Sequence, residues 1–181
     1  MKLKTLITLI LIFLAPAVFA QGTDTLLFSN INNRLGYMKD VALYKAQHHK
    51  QIEDIAREAV VIEKAQAQAK KLGLNPSSVK PFFVAQISAA KAIQYRYRAD
   101  WLSSPNKLNA KPLNLKTQVR PALITLGNTI LAEMKDHLEK FGPFNPSERA
   151  KFIRHITVAN LTIADKDMLY DGLMKVRLAK K

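Results

Sequence analysis

The sequence predicts an all-α protein, a bundle of about six helices, on three observations. Apolar residues recur at intervals of three and four along most of the chain. Helix start and stop signals, Asn-Pro and Gly-Pro among them, fall at the ends of those periodic stretches. No stretch alternates polar and apolar residues for long enough to argue a sheet, and no internal repeat divides the chain. The 181 residues are 48% hydrophobic, which suits a single folded domain and argues against disorder.

The first twenty residues stand apart from the bundle. Lys2 and Lys4 precede a short apolar run from Leu6 to Leu14, Pro16 breaks it, and Val18-Phe19-Ala20 ends on a small residue before Gln21. This pattern predicts a secretory signal peptide over residues 1–20, cleaved after Ala20. The run is shorter than the about 20 residues a transmembrane span needs. Residues 21–181 then form one domain, periplasmic or secreted, with no membrane attachment after cleavage.

Within that domain, Thr23 or Asp24 opens a first helix to about His49, with Leu27, Ile31, Leu35, Met38 and Ala42 on its apolar face. Gly36 interrupts it at a modest cost in helix propensity. Ile52 to Leu72 forms a second helix, stopped by Gly73. Asn75-Pro76 caps a third that runs to about Leu102, with Pro81 bending its first turns. Residues 103–114 are polar, carry Pro105 and Pro112, and form the long connection. Leu115 to Phe141 makes a fourth helix, ended by Gly142-Pro143, and two shorter helices follow at about 147–157 and 165–179.

Composition narrows the chemistry. Without cysteine the chain has no disulfide, thiolate metal site or cysteine nucleophile. Loss of Lys2 and Lys4 leaves 26 Lys and Arg against 14 acids, a formal net charge of +12. Such an excess attracts nucleic acid, an anionic membrane surface or a small anionic substrate. His48 and His49 are adjacent and point about 100° apart on a helix, while His137 and His155 lack ligand-like neighbours at helical spacing, so no metal site is expected.

Charges on otherwise apolar helical faces carry the functional signal. Arg34 and Lys45 lie eleven residues apart, which returns them to within about 20° on one helix face. A cation on such a face either snorkels outward or meets an anion. Asp54, Arg57 and Glu58 cluster at the start of the second helix, at spacings that share a face. Gln86, Ala90 and Gln94 repeat every four residues as one stripe of the third helix.

Together, Arg34, Lys45, Asp54, Arg57, Glu58 and Gln94, in this order and spacing, resemble the all-helical class of chorismate mutases. The signal peptide, the C-terminal helices and the stretch AQISAAKAIQ point to its exported subclass. The resemblance runs without a gap from about Ile31 to Trp101, and more weakly over VRPALITLGNTIL, which contains Arg120. It implies an isomerase that converts chorismate to prephenate, on the route to phenylalanine and tyrosine, by an intramolecular [3,3] rearrangement without metal or cofactor. Arg34, Arg57 and Arg120 match the family's carboxylate-binding arginines. Lys45 and Gln94 match the groups at the ether oxygen, and Asp54 and Glu58 match positions near the substrate hydroxyl. Ala90 departs from the pattern, because the family usually holds a carboxylate there with Ser or Thr, and neither Ser88 nor Lys91 is expected to project from the same side. Val61 stands where some exported members carry an amide.

In the simplest members a second subunit completes the site. Here the fourth helix, with Arg120, is expected to complete it within one chain, leaving a homodimer through another surface open. The competing class is a basic exported protein that binds nucleic acid or anionic lipid without catalysis. Its support is the charge excess and the run Tyr95-Arg96-Tyr97-Arg98. Alternate residues of a helix do not share a face, so that run predicts half core and half surface.

Overall fold

The computed structural model describes residues 22–180, and the predicted signal peptide and its cleavage site lie outside the described residues. The expected first helix is divided into α1 (Gly22–Gly36) and α2 (Met38–Gln47). Tyr37 is the turn between them, although its carbonyl still accepts a bond from Val41 N at 3.1 Å. The poor helix propensity of Gly36 therefore shows as a break, not merely a weak turn. Asp24 lies in the first turn of α1, where its carboxylate bonds to His137 instead of capping the helix.

Helix α3 (Ile55–Lys71) starts three residues later than expected because Asp54 is its N-cap, accepting from Arg57 N at 3.0 Å. Ile52 becomes the buried anchor of the preceding loop. Gly73 stops α3 with a φ of +79°, a conformation that only glycine adopts without steric cost. Helix α4 (Pro76–Leu102) begins where Asn75-Pro76 predicts, with the Asn75 side chain accepting from Ser77 N, and it continues through Pro81. The 103–114 connection contains a 3-10 turn and is tied to α2. Gln47 Nε2 donates to the carbonyls of Leu108 and Ala110 at 2.6 and 2.8 Å, and Leu113 N donates to Asp40 at 3.0 Å.

A π-helical turn, Leu115–Val119, leads into α5 (Arg120–Phe141), with Asn114 capping the turn through Lys116 N and Thr117 N. Helices α6 (Arg149–His155) and α7 (Ile163–Leu173) follow. The last helix ends earlier than the expected residue 179. Beyond it the chain is extended, with Leu178 bridged to Leu74, Asn75 N bonded to the Arg177 carbonyl at 2.9 Å and Ala179 N to the Gly73 carbonyl at 2.8 Å. Backbone groups of the 73–75 turn need partners, and the tail supplies them.

Helix α4 packs against α2, α3 and α7, while α1 lies along α5. Phe28, Phe82, Phe152 and Tyr170 are fully buried in one core. At the α4–α7 crossing a Cβ on Gly172 would sit 2.7 Å from Phe82 Cα, so only glycine allows this approach. Between α1 and α5, the buried His137 Nδ1 and Asp24 Oδ1 are 2.6 Å apart, and the imidazole stacks on Phe144. Among the described residues, no helix is long and apolar enough to cross a membrane.

Candidate active site

Helices α1 to α5 of the one chain enclose a cavity of about 230 Å³. Its walls are largely apolar, from Met38, Val41, Val61, Phe83, Ile87, Leu123 and Leu131. Into it face Arg34 from α1, Lys45 from α2, Asp54, Arg57 and Glu58 at the start of α3, Ala90 and Gln94 from α4, and Arg120 from α5. These eight residues singled out from the sequence therefore line the same space, whereas Gln86, the third member of the α4 stripe, does not. They differ in depth: Arg34 and Gln94 are buried, Lys45, Arg57, Glu58 and Ala90 are partly exposed, and Asp54 and Arg120 are exposed.

Arg34 Nη1 donates to Gln86 Oε1 at 2.6 Å, and among the described residues its Nε has no partner. Burial holds this guanidinium well below the ordinary arginine value, at about 10. Lys45 Nζ donates to the Ile52 carbonyl at 2.6 Å. Burial, more than any neighbour, pulls its pKa down; Asp54 and Glu58 oppose that shift, while Arg98 and Arg120 reinforce it. Gln94 Nε2 donates to the Ala90 carbonyl at 3.0 Å and lies 3.8 Å from Met38 Sδ, while its buried Oε1 has no partner among the described residues. The Asp54 cap aims the first turn of α3 at the cavity. Glu58 Oε2 accepts from Lys91 Nζ at 3.2 Å.

A cavity lined by six cations, two amides and two carboxylates, with apolar walls, suits a compact polyanion. The family model described as chorismate mutase type II matches residues 21–95. The chain is 47% identical to the secreted chorismate mutase of Yersinia pestis over 92% of its own length and 88% of the relative's. The chain belongs to the chorismate mutase family. It is also 38% identical to the monofunctional chorismate mutase of Enterobacter agglomerans, over 92% of each chain. The crystal structure of the Yersinia pestis protein superposes with a TM-score of 0.78, covering 84% of this chain and 97% of that one at 46% identity. A chorismate mutase structure from Burkholderia thailandensis gives 0.69 at 28% identity, covering 83% and 96%.

Three lining residues of this chorismate mutase fold depart from the sequence reading or extend it. Lys91, expected to point away from Ala90, also lines the cavity, its long stem bringing the ammonium to Glu58. Lys64, exposed on α3 and not singled out from the sequence, lines it too. Asn128 was missed outright, yet it follows Arg120 by eight residues and so lies within about 80° of it on α5. Away from the cavity, Asp24, His137 and Glu148 each bring one ligand-type atom within 4.8 Å of the others. Asp24 is more than a hundred residues from the other two, and a turn separates His137 from Glu148, so no helical spacing could reveal them. The His137–Asp24 contact and the Lys151 ammonium, 3.8 Å from the other Asp24 oxygen, make this grouping an electrostatic tie between α1, α5 and α6.

Proposed function

We infer that this protein is a chorismate mutase that rearranges chorismate to prephenate, and the convergence of Arg34, Lys45, Arg57, Gln94 and Arg120 on one apolar-walled cavity carries the reading. The substrate is a dianion that reacts only in a compact, chair-like conformer. Arg34, Arg57 and Arg120 clamp its two carboxylates and hold that conformer, so catalysis begins as positioning. The ether C–O bond then breaks as the new C–C bond forms within the same molecule, and no proton is transferred. Negative charge grows on the ether oxygen ahead of C–C closure. Lys45 and Gln94 donate to that oxygen and stabilise the transition state more than the ground state.

Both donors rest on backbone carbonyls, Lys45 on Ile52 and Gln94 on Ala90, and the ether oxygen would replace those carbonyls as acceptor. Asp54 and Glu58 are assigned to the substrate hydroxyl. Ala90 offers no hydroxyl to a carboxylate, and the nearby Lys91 ammonium adds positive charge to that wall. Residues 1–20 are assigned as an export signal cleaved after Ala20, placing residues 21–181 in the periplasm or outside the cell. The basic run of α4 is better explained by the fold than by nucleic acid. Arg96 pairs with Asp165 and the Asn160 carbonyl, Arg98 bonds the Lys50 carbonyl, and Tyr97 stacks on Trp101.

The test follows the loss of chorismate absorbance on adding purified residues 21–181, with prephenate identified as the product. Conversion no faster than the spontaneous reaction overturns the assignment. Mass spectrometry of the exported protein checks the new N-terminus at Gln21.

A further inference from the structure

Arg34 is buried, and among the described residues it makes no ion pair. Its hydrogen-bond partner is Gln86, itself wholly buried, whose Oε1 faces the guanidinium while its Nε2 has no partner among the described residues. The opposite amide orientation would set two donors against each other, so the chemistry fixes which atom faces Arg34. The Phe83 ring lies 6.0 Å from the guanidinium. Gln86 does not line the cavity; whatever it does for a ligand, it does through Arg34.

Burying a cation without an anion is expensive, and a carboxylate in place of Gln86 would offset part of that expense. A carboxylate would also cancel the charge permanently and occupy donors aimed at the cavity. A neutral amide fixes the guanidinium by one short hydrogen bond and leaves its charge unspent. Among the described residues, Arg34 Nε and Gln86 Nε2 have no hydrogen-bond partner.

We propose that Gln86 is a positioning residue that orients Arg34 without neutralising it, reserving the guanidinium for a carboxylate of the bound dianion. The inference rests on the assignment of Arg34 as a carboxylate-binding group and names what sets its affinity.

Gln86→Glu and Gln86→Leu separate this role from a purely structural one. Each is compared with the wild type by steady-state kinetics on chorismate and by melting with and without prephenate. Gln86→Glu is expected to melt at or above the wild-type temperature, because the new carboxylate compensates Arg34. Its KM for chorismate should rise tenfold or more, with a smaller change in kcat, and the stabilisation by prephenate should shrink. Gln86→Leu should melt lower and also raise KM, because Arg34 loses the bond that aims it. A structural role alone would lower the melting temperature and leave KM and the prephenate shift unchanged. Wild-type KM and prephenate shift in Gln86→Glu overturn the proposal; if that variant does not fold, a wild-type KM in Gln86→Leu does so. A wild-type protein inert toward chorismate overturns instead the function on which the proposal rests.

Discussion

Arg57 shows how one residue serves helix and cavity through different atoms. Its backbone N–H completes the Asp54 cap, and its guanidinium faces the cavity. Arg57→Ala keeps the first and removes the second. Turnover should fall about 10²- to 10³-fold, the effect of losing one charge-assisted contact in a water-poor site, with the melting temperature nearly unchanged. Near-normal kinetics would place Arg57 outside the productive site. At Gln94 the informative variable is pH. An amide donates at any pH, whereas a carboxyl donates only while protonated. Burial at this position favours the neutral acid and Lys45 favours the ionised one, so the midpoint depends on their balance but the sign does not. In turnover against pH, Gln94→Glu should be active in acid and fade as pH rises, while the wild type stays flat across neutrality. Two profiles of the same shape would remove Gln94 from the ether oxygen. Such residues were legible because helical spacing converts sequence distance into direction, as for Arg34 and Lys45. Lys91 was misread by the same rule, since a four-carbon stem outruns the direction of its Cβ.

Helix starts and stops were legible wherever a side chain or a backbone requirement announces them. Asn75-Pro76, Gly73 and Gly142 fall at element ends as expected. What the periodicity could not supply was the difference between a helical residue and its cap, so Asp54 was read one turn too deep. Nor could it supply the extended tail, which is held by hydrogen bonds to a turn about a hundred residues earlier. The π turn before Arg120 belongs with these surprises. Each π-type bond spans one residue more than an α-helical bond, which changes the angle at which the following helix presents its side chains. Between elements, the α4–α7 crossing is the sharpest constraint. Gly172→Ala would drive a methyl into the α4 backbone at Phe82, where no flexible side chain can yield. The expected cost is about 2 kcal/mol or more, a fall in melting temperature of roughly 4–8 °C by calorimetry. Phe82 packs away from the cavity while Phe83 lines it, so KM for chorismate at 25 °C should hold. An unchanged melting temperature would mean that the helices are not in such close contact.

At the scale of the whole molecule, the cavity collects side chains from residue 34 to residue 131 of a single polypeptide. The Asp24–His137 contact helps hold α1, the source of Arg34, against α5, the source of Arg120. A site assembled this way forms in a unimolecular event. Its occupancy by substrate depends on substrate concentration, but its existence does not depend on protein concentration. A site shared between subunits obeys mass action and comes apart once the protein falls below its dissociation constant. Outside the cell, one of the two destinations proposed above, dilution has no floor. Specific activity with chorismate should therefore stay constant from micromolar to picomolar protein, and a decline over that range would reveal that a second copy contributes to the cavity. A self-contained site lets each molecule carry its full activity away from every other copy.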